Sequence, residues 1–597
     1  EVDFFINKNA KAFLQEQFKL WSYQYFWEGA KEWSADRVNE LQILKDIAFK
    51  IIDFISQFED ELVKIWNKPK FVKNSNYVIT LDRITDKKLV EKIKEHKNYK
   101  EQVKEWEELG IGKDNPKAPI DTKYFKDLEL EILNQFENLD KSLDGWLIKS
   151  ENYQALNTIL PKFKEKVQTI YIDPPFNKET DADYLYSVKY KDATWNSLLE
   201  NRLWLAKYLL NEKGNIFVRC DYNGNMLVKL LMNEVFGKEN FRNEIVVKRG
   251  YVPKGLTNQY VTGTDYLMFY AKNSEKMWFI GSKRKIKEEE RKWISLDMPG
   301  QRKTYELQVR YFWGKPWLPP KGQHWGLSQE KISEYEKLGW TRINPGRTYI
   351  DTQGNRVKGM PEYLKEPELL LDTNWTDIKS YETHNTFFPT ENSEILLQRV
   401  IEGVSDKNAL ILDYFLGSGT TVAAAHKLGR KWLGIEMANH FYSFVPENGK
   451  LSGVVNRMKE VLAGQGNHEP CGISKDISWQ GGGFFKYYEL EQYEEALANC
   501  KYEDNDLFNS PSKTPYQEYV FLKDEKMLET LEIDYEKDKV KVDLSKLYPN
   551  IDIAETLSNL TGKWIKKISE GEVEFEDGTK INTKDLDYKI IKPLIWW

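Results

Sequence analysis

The sequence predicts an α/β fold: a parallel sheet with helices on both faces, split by a large insertion, with a helical N-terminal region and an α+β C-terminal domain. Three observations predict it. From Gly145 to about Lys272, short apolar runs such as Val167–Ile172 and Asn215–Val218 alternate with amphipathic segments, the pattern of strands joined by crossover helices. The same alternation returns from about residue 388 to 464. Between them lies an irregular stretch rich in aromatics, proline and glycine, so one discontinuous domain with an insertion is the simplest account.

The elements follow in order. Residues 1–75 predict helix, because Leu41, Leu44, Ile47, Ile51, Ile52 and Ile55 recur near helical spacing, followed by Phe58, Leu62 and Ile65. Tyr77–Leu81 reads as a strand opening a charged connecting region, 76–144. Within that region the Lys- and Glu-rich stretch from about 86 to 120 predicts solvated helix. Residues 145–272 form one half of the α/β domain, 273–384 the insertion and 385–466 the other half. Residues 467–483 read as a linker, marked by Gly481-Gly482-Gly483, and 484–597 as a separate acidic domain. The first residue is Glu1 rather than Met, which suggests a fragment or a processed chain.

Composition excludes several function classes. An apolar content of 41% supports real cores, but no 18-residue apolar run predicts a membrane span and no signal peptide opens the chain. Three cysteines, none at Cys-x-x-Cys spacing, predict reduced thiols and a cytoplasmic protein. With only six histidines, no metal site is expected. The net charge of −6 is unevenly spread: Arg242–Asn374 holds 24 Lys/Arg against 16 Asp/Glu, whereas Phe484–Trp597 holds 16 against 25. A basic block inside an acidic chain points to one nucleic-acid face.

Two strand ends carry the chemistry. Tyr171-Ile-Asp-Pro-Pro-Phe-Asn177 is an apolar strand closing on Asp173-Pro174-Pro175-Phe176. A carboxylate and a main-chain carbonyl can grip both N–H bonds of an amino group, prolines stiffen the backbone, and an aromatic ring can stack on a flat base. Downstream, Ala409-Leu-Ile-Leu-Asp-Tyr-Phe-Leu-Gly-Ser-Gly-Thr-Thr421 reads as a strand, a glycine loop and a helix start. Gly417 and Gly419 allow the tight turn, and Thr420 and Thr421 are placed to cap the helix. Arg430–Glu436 is a second strand whose terminal acid lies 17 residues beyond Gly419, suited to ribose hydroxyls. A dinucleotide fingerprint would need glycine where Val422 stands, and no Gly-Lys-Ser/Thr follows the loop.

Together these motifs resemble the amino-group DNA methyltransferases that use S-adenosylmethionine, in the beta-class order with the catalytic motif first. Tyr414 stands where the family usually has proline. Phe388-Pro-Thr-Glu-Asn-Ser393 resembles the element opening the cofactor half, with Phe388 for histidine and Asn392 for lysine. Leu147-Ile-Lys-Ser-Glu-Asn152 resembles the segment before the catalytic motif, implying Glu151 and Asn152 as adenosine contacts. The likeness continues through Tyr184, Tyr186, Trp195, Glu200–Leu203, Gly214–Phe217, Asp221 and Asp265–Lys272. Over about 145–464 the chain is similar to modification (Mod) subunits of type III restriction systems and their large site-specific relatives.

The resemblance implies a Rossmann-like methyltransferase domain with an inserted target-recognition region. It implies Asp173, Pro174, Pro175 and Phe176 as the catalytic set. Asp413, Phe415, Gly417, Gly419, Thr420, Glu436, Thr390 and Asn392 are implied as the cofactor set, the last two on the methionine carboxylate. Asp at the first catalytic position goes mostly with adenine N6 in that family; cytosine N4, and a catalytically silent DNA-recognition subunit, stay open. The implied partner is double-stranded DNA, and a homodimer and a helicase-nuclease restriction subunit are compatible with it. No covalent cysteine is expected, since only Cys471 follows a proline and it lies outside a strand end. In the insertion, Lys283-Arg-Lys-Ile-Lys287, Trp313, Trp317, His324, Trp325, Arg342, Arg347 and Arg356 interleave basic and aromatic side chains suited to phosphate contact and base reading.

Overall fold

The computed structural model describes residues 9–28, 35–176, 192–249, 260–285, 289, 291–381, 391–443, 445, 451–502, 522–534 and 539–595. They divide into two compact units, 1–280 with 373–597, and 281–372.

A sheet of eleven strands among the described residues organises the first unit. Six neighbours run parallel: Leu210–Cys220, Val167–Ile172, Leu410–Asp413, Lys431–Glu436, Gly145–Lys149 and Phe484–Leu490. Val167–Ile172 and Leu410–Asp413 are buried throughout, as parallel strands covered on both faces must be. Beyond Leu210–Cys220 the sheet continues through antiparallel Thr264–Ala271, then Phe241–Lys248 and Asn374–Lys379. From Val167–Ile172 the chain moves to one side of the sheet, and from Leu410–Asp413 to the other. Their carboxyl ends therefore flank a topological switch point, where open α/β sheets leave a crevice for ligands.

The opposite edge holds what composition did not reveal. Phe484–Leu490 adds parallel to Gly145–Lys149, and Val72–Thr80 then pairs with it in antiparallel fashion. The acidic C-terminal residues are thus continuous with the central sheet rather than a separate domain. Helix Ile553–Thr561 is joined to helix Asn152–Phe163 by buried charges: Lys162 lies 2.9 Å from Asp140 and 2.8 Å from Glu555, and Lys486 reaches Asp552 and Glu555 at 2.7 and 2.9 Å. Trp564 stands edge-on to Trp146 at 5.7 Å. The expected linker is a packed strap. Gly481 and Gly482 hold φ of 77° and 103°, a region that favours glycine, and the Gly482 amide donates to Leu462 O at 2.7 Å. The charged connecting region is also packed: helices Lys87–Glu95 and Tyr99–Glu108 bury Leu89, Ile93 and Trp106.

Two N-terminal helices span Ala10–Glu28 and Ala35–Asn67, a strand begins at Val72, and Ile43, Ile47, Ile51 and Ile55 on the second helix are exposed. No helix among the described residues is long and apolar enough to cross a membrane.

The second unit is shorter than the expected insertion, because Asn374–Lys379 belongs to the central sheet and the Ile280 amide donates to Gly403 O. Its hairpin Thr341–Ile350 and Arg356–Leu364 pairs with Trp293–Ser295 over a core of Leu296, Phe312, Trp325, Ile332 and Met360. Trp325 is therefore a core residue rather than a free aromatic. Arg342 pairs with Glu362 at 2.8 Å and Arg347 with Asp297 at 3.3 Å, whereas Trp313 is exposed.

Candidate active site

The glycine loop leaves Leu410–Asp413 and enters helix Thr420–Lys427. Asp413 shapes it: Oδ1 accepts from the Phe415 amide at 2.9 Å and Oδ2 from the Thr421 hydroxyl at 2.6 Å. Burial raises the Asp413 carboxyl to about 7, against the pull of those two donors, with Asp173 and Glu436 adding to the rise. Gly417 and Gly419 have φ of 56° and 84°, so the turn is one that side chains disfavour. Gly419, not a threonine, takes the cap position. The Thr420 hydroxyl is buried, accepts from Arg457 at 2.8 Å and lies 2.8 Å from Ser418 Oγ, so its role is internal.

Glu436 ends the neighbouring strand and accepts the Gly417 and Ala438 amides, each at 2.8 Å. A carboxylate has about four lone-pair sites, which leaves acceptor capacity for a sugar diol. Phe415, half-buried, stands two residues before Gly417 in the same loop, so this loop and strand end offer an acceptor and an aromatic ring suited to a nucleoside. Glu151 caps its helix at the Gln154 amide, 2.9 Å away, and pairs with Arg202. Asn152 donates to Tyr414 O at 2.9 Å and so steadies the loop.

One strand over, Asp173 follows Ile172. Its Oδ2 accepts from Arg219 Nη1 at 3.2 Å and from Asn392 Nδ2 at 3.0 Å. Asn392 Oδ1 accepts from the Tyr171 hydroxyl at 3.2 Å and from Arg219. Asn392, expected on the cofactor, is thus placed against the Asp173 carboxylate. Trp195 Nε1 donates to Pro175 O at 2.7 Å and fixes the proline pair. Phe176 is 6% exposed, its ring 6.0 Å from the Arg219 guanidinium. Stacking on a base requires that ring to be uncovered. Thr390, Tyr184 and Tyr186 lie outside the described residues.

A family model described as DNA methylase matches residues 167–446, spanning both strand ends. The type II methyltransferase M2.LlaDCHI of Lactococcus lactis is 43% identical over 190 residues, covering 25% of this chain and 70% of that protein. The chain belongs to the DNA methylase family. A Haemophilus influenzae relative named "Probable type III restriction-modification enzyme HindVI Mod subunit" is 28% identical over 422 residues, 59% of this methylase. The methylase spans 54% of that relative's length. PvuII DNA methyltransferase, a cytosine-N4-specific enzyme, matches at 11% identity with a TM-score of 0.30, covering 56% of this chain and 90% of its own.

Sequence reasoning missed the charges behind Asp173. Arg219 and Asp265 lie on strands, where alternating polar residues normally face solvent, and only the fold shows them buried. The methylase has no thiol suited to attack at Cys471: burial and Glu394 raise it well above the ordinary range, which disfavours thiolate. Glu394, Glu469 and Cys471 approach closely enough to hold a metal ion, but the Lys427 ammonium sits among them, 2.9 Å from Glu394.

Proposed function

We propose that this methylase transfers a methyl group from S-adenosylmethionine to adenine N6 in double-stranded DNA, as the modification component of a restriction-modification system. The observation that carries this reading is the placement of Asp173 beside the Asp413–Gly419 loop, on adjoining strands at the switch point of the sheet.

S-adenosylmethionine supplies an electrophilic methyl group on a sulfonium. Glu436 would hold the ribose hydroxyls of the cofactor and Phe415 would offer its ring to the adenine. Asp173 and the Pro174 carbonyl accept the two N–H bonds of the target amine. An aromatic amine is a poor nucleophile because its lone pair is delocalised, and holding both N–H bonds favours a pyramidal, available lone pair. Asp173 also stabilises the positive charge that grows on nitrogen. Holding the target amine in line with the cofactor's methyl group would supply much of the remaining rate. The base must first leave the duplex, and Phe176 stacks on it once uncovered.

Adenine is favoured by Asp at position 173, the residue that goes mostly with N6 in the family resemblance. The basic balance across Arg242–Asn374 supports target reading by the insertion. Similarity to proteins named Mod subunits of type III restriction-modification enzymes supports a separate restriction subunit as partner. Nucleoside analysis and methylation-sensitive sequencing of DNA from cells expressing the chain test the reading. N6-methyladenine at one sequence is expected. N4-methylcytosine would reassign the base, and unmodified DNA would favour a silent recognition subunit.

A further inference from the structure

Asp173 and Arg219 sit at the ends of neighbouring parallel strands, because Ile172 is in register with Val218. The Arg219 guanidinium is fully buried and held from three sides. Nη1 lies 3.2 Å from Asp173 Oδ2, and Nη2 lies 2.7 Å from Asp265 Oδ2. The Tyr381 ring centre lies 3.9 Å from its central carbon. Asp265 is itself fixed, accepting from Arg249 Nε at 3.0 Å and from Ser380 Oγ at 3.1 Å. An arginine braced in this way has little freedom to move when substrate arrives.

The effect on Asp173 is unequal between its two oxygens. Arg219 and Asn392 both donate to Oδ2, and among the described residues no hydrogen bond reaches Oδ1. We infer that Arg219 is a positioning residue: it engages Oδ2, keeps Asp173 in its acceptor form, and leaves Oδ1 for the target amine. This rests on the reading of Asp173 as the group that accepts the amine N–H.

The surrounding charges make such a residue necessary. Burial pushes the Asp173 carboxyl up, Asp265 and Asp221 push the same way, and Arg219 is the strongest opposing influence, followed by Asn392. The other groups facing this centre are the Tyr171 hydroxyl, Tyr381, Arg249 and Asp413. Without the guanidinium, carboxylates crowded into a dry site favour uptake of a proton. A protonated Asp173 would have lost the charge that draws in the amine.

The test is single-turnover methylation of a DNA duplex by the full chain, at saturating cofactor, across the pH range. The variants are Arg219→Gln, Arg219→Lys and Asp173→Asn. Arg219→Gln is expected to move the acid limb of the rate profile upward by about one to three pH units, the effect of losing an opposite charge at this distance. Its rate should recover toward that of the parent at alkaline pH, and Arg219→Lys should restore most of the limb. A uniform loss of rate with an unmoved limb, or no rescue by lysine, overturns the proposal in favour of a structural role. Should Arg219→Gln fail to fold, Asp265→Asn reads the same limb, which should move downward; an unmoved limb there also overturns it. If Asp173→Asn methylates like the parent, the reading of Asp173 itself fails, whatever Arg219 does.

Discussion

Asn392 offers the sharpest division between two roles for one side chain. The family pattern implies a contact with the methionine carboxylate of the cofactor, whereas the structure puts Nδ2 3.0 Å from Asp173 Oδ2. Asn392→Ala removes that hydrogen bond and leaves the Tyr171 hydroxyl without its acceptor. A hydrogen bond to a charged group contributes about 1.5–3 kcal/mol. If the loss falls on the transition state, the single-turnover rate drops about 10- to 150-fold. Cofactor affinity should then stay within about twofold of the parent, since Asp413, Phe415, Gly417 and Glu436 are untouched. Calorimetric titration with S-adenosylmethionine and rapid-quench methylation measure the two quantities separately. A large loss of affinity with an unchanged rate at saturation would refute the argument and return Asn392 to the cofactor.

Other outcomes follow from the same geometry. Glu436→Ala should weaken cofactor binding by about 1–3 kcal/mol, through the ribose and through the loosened Gly417 and Ala438 amides, and unchanged calorimetric affinity would count against it. Asp413 titrates at about 7 in the fold against an ordinary 3.8, so its contribution is greatest below pH 4 and is lost as pH rises through 7. Asp413→Asn should remove that slope from the thermal midpoint between about pH 4 and 7, and an identical slope in both proteins would contradict the assignment. Lys162→Met leaves Asp140 and Glu555 buried without their shared cation and should destabilise the fold by about 3–5 kcal/mol in denaturant titration; a midpoint equal to that of the parent would show the cluster to be dispensable. Exchanging residues 281–372 for the corresponding unit of a relative should change the methylated sequence and spare cofactor affinity, and retention of the original sequence would place recognition elsewhere.

The strands that carry the site are legible because burial on both faces favours short, mostly apolar stretches, and Val167–Ile172 and Leu410–Asp413 are mostly apolar and buried throughout, although Gln168, Thr169 and Asp413 are buried with them. Phe484–Leu490 was harder to place. Its residues are apolar enough for a sheet, but the acidic surroundings suggested a separate body, and only pairing with Gly145–Lys149 shows otherwise. The threonines after the loop looked like helix caps, yet the loop supplies Gly419 for that position, and Thr421 turns to Asp413 instead. Arg219 had no legible role at all. Its meaning depends on Asp173 and Asp265, each 46 residues away along the chain.

The order of strands has a consequence for how the molecule comes to exist. Asp173 meets Asn392 across 219 residues of chain, and Val72 meets Thr556 across 484. At a synthesis rate of about 5–20 residues per second, those partners emerge about 10–40 s and about 25–100 s apart. Until Leu410–Asp413 emerges, the Val167–Ile172 strand has one edge paired with Leu210–Cys220 and the other edge open. An unpaired apolar strand is a template for pairing with the wrong chain. Nascent chains stopped before about residue 490 should therefore aggregate rather than accumulate as a smaller soluble enzyme, since the sheet is completed only when its most distant strands arrive.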